Sequence, residues 1–124
     1  MKAILRSGFL ALAIMAFAVP ANAGPFEEGV AAYQSGDYTT ALRRWGPLAK
    51  QGNAMAQSNL GVMYEFGLGV PQDFVKAHTW FNLAAAQGDS VAQQNRDIVA
   101  SEMTPDQIAK AERMAREWMA KHQR

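Results

Sequence analysis

The sequence predicts an all-α fold: an α/α superhelix, or short solenoid, of three antiparallel helix pairs. Three observations carry this. First, the segment 36–52 returns in edited form at 72–88, with Asp37 on Asp73, Tyr38 on Phe74, Ala41 on Ala77, Trp45 on Phe81, Ala49 on Ala85 and Gln51-Gly52 on Gln87-Gly88. Self-similarity at such a period is the signature of a stacked repeat array. Second, apolar residues recur at helical spacing, and Gly followed by Asp or Asn marks three of the breaks, at 36–37, 52–53 and 88–89. Third, small residues (Ala41, Ala49, Ala77, Ala85) alternate with large ones (Trp45, Phe81), so neighbouring helices can approach while an aromatic ring fills the gap.

The first 23 residues read as an address and not as part of the fold. Lys2 and Arg6 form a positive start, 9–19 is apolar and uncharged, and Pro20-Ala21-Asn22-Ala23 supplies a small-x-small cleavage site. The apolar stretch is shorter than the ~20 residues a membrane-spanning helix needs. The expectation is a cleaved signal peptide with cleavage after Ala23, no stable membrane anchor afterwards, and a periplasmic or secreted mature chain.

Cleavage removes Lys2 and Arg6 and no acid, leaving ten Lys and Arg against eleven Asp and Glu. Near-neutral charge gives no electrostatic case for a nucleic-acid partner. The chain has no cysteine, so packing alone must hold an exported domain together.

The elements follow in order. Phe26, Val30 and Tyr33 give a first helix to Gln34, ended by Ser35-Gly36. Asp37 caps a second, whose stripe is Tyr38, Ala41, Leu42, Trp45, Leu48 and Ala49. Pro47 is expected to kink it or restart its last turns. Asn53 caps a third helix bearing Ala56, Leu60, Met63 and Tyr64, and Gly67-Leu68-Gly69-Val70-Pro71 forms a loop in which Val70 tucks inward. Asp73 opens a fourth, with Phe74, Ala77, Trp80, Phe81, Ala84 and Ala85 on its buried side.

A fifth helix spans 90–100. Thr104-Pro105-Asp106-Gln107 then starts a sixth, with Thr104 and Gln107 spaced for a capping box. The pairs are placed at about 26–52, 53–88 and 89–122. The eroded third pair fits a cap with a polar outer side. On the sixth helix Asp106–Lys110, Glu112–Arg116 and Glu117–Lys121 are spaced for surface ion pairs, which mark a solvated face.

The stretch 56–88 resembles a Sel1-like repeat. It carries Ala56, Leu60-Gly61, Tyr64, Gly67-x-Gly69-Val70, Asp73, Lys76-Ala77, Trp80, Ala84-Ala85 and Gly88 at the family's spacing. The segment 26–52, with Tyr33, Gly36-Asp37-Tyr38, Ala41 and Trp45, is similar to the related tetratricopeptide repeat and lacks a five-residue loop insertion. The resemblance covers 26–95. It implies a right-handed superhelix whose concave side is lined by the first helix of each pair, and adaptor or scaffold work. Many exported members staple their helix pairs with disulfides, which this chain cannot do.

No constellation supports catalysis, and neither a metal nor a cofactor is expected. His78 and His122 lie on different helices without an acidic or Cys cluster at ligand spacing, and His78 is expected at a partly exposed surface. Glu27-Glu28 diverge on their helix and serve its N-terminal dipole. Gly67-x-Gly69 follows no strand and is no phosphate cradle.

The expected binding positions are Glu27, Gln34, Ser58, Val62, Glu65, Gln94 and Ser101, assigned to the concave side. The leading expectation is an exported non-enzymatic adaptor for a protein or peptide partner. The alternative is a module that binds a peptidoglycan fragment. The exposed ends of a short array leave stacking into a homodimer open.

Overall fold

A computed structural model describes residues 21–122, so the segment 1–20, which holds most of the expected signal peptide, lies outside the described residues. The described residues form six α-helices: α1 (Pro25–Gln34), α2 (Tyr38–Lys50), α3 (Ala54–Phe66), α4 (Phe74–Ala86), α5 (Ser90–Ala100) and α6 (Pro105–His122). No strand occurs among them.

The first turn of a helix leaves backbone N–H groups without partners, and short polar side chains satisfy them. Asp37 accepts from the Thr40 N–H at 3.2 Å, Asn53 from Ala56 at 2.9 Å, Asp73 from Lys76 at 3.0 Å and Asp89 from Ala92 at 2.9 Å. Thr104 and Gln107 close the expected capping box in both directions, at 3.2 and 2.9 Å. Helix α1 starts on Pro25, with the Glu27 carboxylate accepting from the Gly24 N–H at 3.0 Å.

Two local expectations are corrected. Of the two outcomes expected at Pro47, a kink or a restart, the restart does not occur: α2 runs unbroken from Tyr38 to Lys50. Pro47 stands near the end of α2 and is exposed, so the carbonyl deprived of its partner costs little there. The three ion pairs expected along α6 do not close: among the described residues only Glu28–Arg44, at 3.8 Å, and Arg96–Asp97, at 3.2 Å, approach within 4 Å. Exposed pairs gain too little to hold two long side chains still. In the α3–α4 loop Leu68 and Val70 are both half-buried, and Leu68 packs on the first core.

Helix α1 packs on α2, α2 on α3, α3 on α4 and α4 on α5. The last helix returns to α4, where the Thr79 hydroxyl donates to the Val75 carbonyl at 2.7 Å and lies 3.4 Å from the Ala111 carbonyl. One core gathers Ala32, Ala41, Trp45, Ala49, Ala56, Leu60 and Met63; a second gathers Ala77, Phe81, Ala84, Ala92 and Val99.

Each core is keyed by an aromatic ring seated on a glycine. Trp45 lies on Gly29 so closely that a Cβ there would overlap the indole, and its N–H donates to the Phe26 carbonyl at 3.1 Å. Phe81 lies on Gly61, where a Cβ would stand 2.5 Å from the ring. The repeated large residue therefore meets an absent side chain on the preceding helix.

A buried amide joins successive repeats. Gln57 is fully buried; its amide donates to the Ala49 carbonyl at 3.1 Å and its oxygen accepts from Gln87 at 3.0 Å. Gln87 also donates to the Gly52 carbonyl at 2.9 Å. Thus the ends of α2 and α4 are tied through α3 by polar groups that satisfy one another.

Candidate functional site

We call α1, α3 and α5, the first of each expected pair, the first row, and α2, α4 and α6 the second. Between α1 and α3 the first row opens a groove of about 320 Å³, lined by Val30, Tyr33, Gln34, Trp45, Asn59 and Val62. The Trp45 ring lies 5.7 Å from Tyr33, and Tyr33 packs edge-on to Tyr38 at 5.3 Å. Burial, helped by the neighbouring Tyr38, pushes the Tyr33 hydroxyl pKa up, so it stays a neutral donor.

Of the seven expected binding residues, the groove brings Gln34 and Val62 together. Glu27 stands at the opposite end of α1 and caps the Gly24 N–H. Ser58 is half-buried, and Glu65 is only 9% exposed. Gln94 and Ser101 are exposed on and just after α5, with the Ser101 hydroxyl donating to the Ile98 carbonyl at 2.6 Å. The seven do not make one cluster.

A different set stands out. Met55, Val91 and Ile98 are large apolar side chains exposed by 62%, 58% and 56%. Met55 and Val91 occupy the same place in the 36-residue repeat, as do Val62 and Ile98. Residues seven apart fall on one helix face, so Met55–Val62 on α3 and Val91–Ile98 on α5 form two matching apolar rows. Ser58 and Gln94 lie about 60° round the helix from these rows. Of the seven expected positions only Val62 lies on these rows; Met55, Val91 and Ile98 are not among the seven. The available signal was a large apolar residue recurring at a repeat position that the core stripe does not use.

The second row has its own hollows. One of about 220 Å³ lies among Tyr64, Lys76, Thr79, Trp80, Leu83, Met114 and Trp118. Another of about 400 Å³ lies among Gln51, Gly52, Leu83, Ala86, Gln87, Trp118, Met119 and His122. The His122 ring stacks on Trp118 at 3.8 Å. Although larger, this second hollow has none of the strongly exposed apolar side chains, which all stand on the first row.

The surface position expected for His78 is corrected: the residue is 3% exposed, and its Nδ1 has no hydrogen-bond partner. Phase on α4 turns it toward α5 and α6. Burial first, then Arg96, holds its pKa below the ordinary histidine value, with Glu112 and Asp97 opposing. Among the described residues no three His, Cys, Asp or Glu side chains gather to hold a metal ion.

These features define a short helical-repeat protein with a surface built from its first-row helices. Residues 54–89 match the Sel1 repeat family. A Sel1-like repeat-containing protein of Acanthamoeba polyphaga mimivirus is 47% identical over 47 residues, which is 38% of this chain and 9% of that protein. A protective antigen present in uropathogenic Escherichia coli strains, which displays an SLR fold, matches with a TM-score of 0.75 and 31% identity. That match covers 79% of this chain and 22% of the antigen, so the chain spans a minor part of both relatives. The chain thus contains a Sel1 repeat at 54–89, and its described residues have an all-α fold similar to that SLR-fold solenoid.

Proposed function

We propose that this chain is an exported, non-enzymatic adaptor that holds a protein or peptide partner against the face built by α1, α3 and α5. Sel1-like repeats commonly mediate protein–protein contacts, and the repeat at 54–89 supports that class of activity here. The observation that carries the reading to this face is the exposure of Met55, Val91 and Ile98 at repeat-equivalent positions. Leaving a large apolar side chain in water forgoes about 1.5–3 kcal/mol of burial, which a partner recovers. Grouped exposed apolar residues are a mark of interaction sites.

Export is proposed from the leader-like segment 1–23. Intact-mass measurement of the protein from a bacterial periplasm is expected to give a chain beginning at Gly24. A chain retaining residues 1–23 in the membrane fraction would refute export.

The face is tested by crosslinking in cells. A photoreactive residue at Gln94 is expected to trap a protein partner that the same residue at Lys110, on the second row, does not. Ile98→Asp should abolish the product at Gln94. Equal trapping from both rows, or a product indifferent to Ile98→Asp, would overturn the assignment. Co-sedimentation with protein-free sacculi, also indifferent to Ile98→Asp, would favour a peptidoglycan-binding module instead.

A further inference from the structure

The last two helices are lightly held. Only Ala92 and Val99 are buried on α5, and only Ala111 and Ala115 on α6, whereas α3 buries Ala56, Gln57, Leu60, Gly61, Met63 and Glu65. Each of the two packs chiefly on α4 and little on the other. Helix α5 also lacks cover that α3 has. Gln57, Gly61 and Glu65 are buried, but their repeat equivalents Gln93, Asp97 and Ser101 are exposed. Gln93 therefore stands in water where Gln57 bridges two repeats. Segments with few buried groups open at lower free energy than the core.

On α4, turned toward this pair, stands His78, which is 3% exposed and whose Nδ1 has no hydrogen-bond partner. The charges that act on it come from the pair: Arg96 and Asp97 of α5 and Glu112 of α6. Helix α3 meets α4 through Gly61 and Phe81 and adds none. A neutral imidazole fits this place and an imidazolium does not. The cation has two N–H donors that both need acceptors, and burial keeps water from it. Arg96, which donates to Asn82 of α4 at 3.0 Å, adds repulsion. Glu112 and Asp97 are exposed, and Asp97 already pairs with Arg96 at 3.2 Å, so their attraction does not offset this.

We propose that His78 makes the α5 side of the first-row face labile to acid: on taking up a proton it loosens α5 and α6 from α4, while Phe81 on Gly61 keeps α4 keyed to α3. Opening hydrates the imidazolium and parts it from Arg96. The opened state binds the proton near the ordinary histidine value of 6.5 and the packed state only at lower pH, so opening grows as pH falls below that value. Val91 and Ile98 ride on α5, so opening removes one of the two exposed apolar rows and releases a partner held there. The opening stands on the packing alone; its effect on a partner rests on the reading above and adds the regulation of that face.

Hydrogen exchange at about pH 7.5 and about pH 5.0, corrected for intrinsic exchange rates, reads each helix separately. The sample is the processed protein, purified from cells expressing the full chain. With one proton taken up on opening, protection of α5 and α6 is expected to fall at least about fivefold in acid, with α2 and α3 unchanged within about twofold. His78→Gln, neutral at both values, should hold α5 and α6 within about twofold. Arg96→Gln removes the opposing cation and should shrink the acid loss, a second readout independent of how well His78→Gln folds.

No loss in the parent, an equal loss in every helix, or a loss that persists in folded His78→Gln overturns the inference. Crosslinking from Gln94 in cells held at the same two pH values should weaken in acid in the parent and persist in His78→Gln. Weakening in both overturns the link to partner release. If Gln94 traps nothing even at the higher pH, the adaptor reading falls, and exchange alone decides the acid opening.

Discussion

His78 shows how much a single side chain can set. It is a titratable group with 3% exposure and an unpartnered Nδ1, held between α5 and α6 near Arg96, Asp97 and Glu112. The folded protein keeps it neutral because burial, and then Arg96, penalise the cation. An unfolded chain protonates it near the ordinary value of 6.5. Below that pH the unfolded state binds more protons than the folded one, so stability falls as pH drops toward the lowered folded-state pKa and levels beneath it. Urea denaturation at pH 7.5 and at successively lower pH should show this loss, and His78→Gln should flatten it. An unchanged slope in His78→Gln would remove the assignment. Asp37 acts lower on the scale: its hydrogen bonds with Thr40 depress its carboxyl, so the cap is present above the unfolded value of 3.8 and is lost as pH falls through the folded one.

At the scale of elements, two helical glycines make opposite predictions. Alanine is ordinarily the better helix former by about 1 kcal/mol. At Gly46 a Cβ meets nothing within 4 Å beyond its chain neighbours, but the ring of Pro47 crowds a Cβ on the helical residue before it, so Gly46→Ala should stabilise by well under ~1 kcal/mol. At Gly61 the Cβ would stand 2.5 Å from Phe81, and Gly61→Ala should destabilise by about 1–3 kcal/mol despite its better propensity. Denaturant midpoints separate the two, and the double variant Gly61→Ala/Phe81→Leu should lose less than the sum of the single losses. This pairing also marks what the sequence allowed to be read. Caps at Asp37, Asn53, Asp73, Asp89 and Thr104 depend on neighbours three residues away, so local pattern suffices for them. The seat of Phe81 on Gly61 depends on contacts between helices, which spacing alone does not specify. How far the core leaves an apolar side chain outside is likewise set between helices: the repeat pattern marks Met55, Val91 and Ile98 as off the core stripe, and packing sets the degree of their exposure.

At the scale of the molecule, the question is whether the repeats unfold together. Solenoid repeats contact only their neighbours, so cooperativity depends on the interfaces between them. Here the two apolar cores meet across α3 and α4, and the interface contains the buried Gln57, bonded to Ala49 on one side and Gln87 on the other. Replacing Gln57 by Leu keeps most of the volume but leaves the Ala49 carbonyl and the Gln87 amide with fewer partners. The expected cost is about 1–3 kcal/mol. Gln87→Ala removes the other half of the bridge, and the pair should show a coupling of about 0.5–1.5 kcal/mol in a double-mutant cycle. Because the bridge spans two repeats, Gln57→Leu should also separate events that coincide in the native protein. With Trp80 and Trp118 replaced by Phe, fluorescence from Trp45, in the first core, and helical circular dichroism of the whole chain should follow one transition in the parent and two in the variant. Additive losses with a single shared transition would show that apolar packing alone couples the repeats, and that the buried amide only fixes their register.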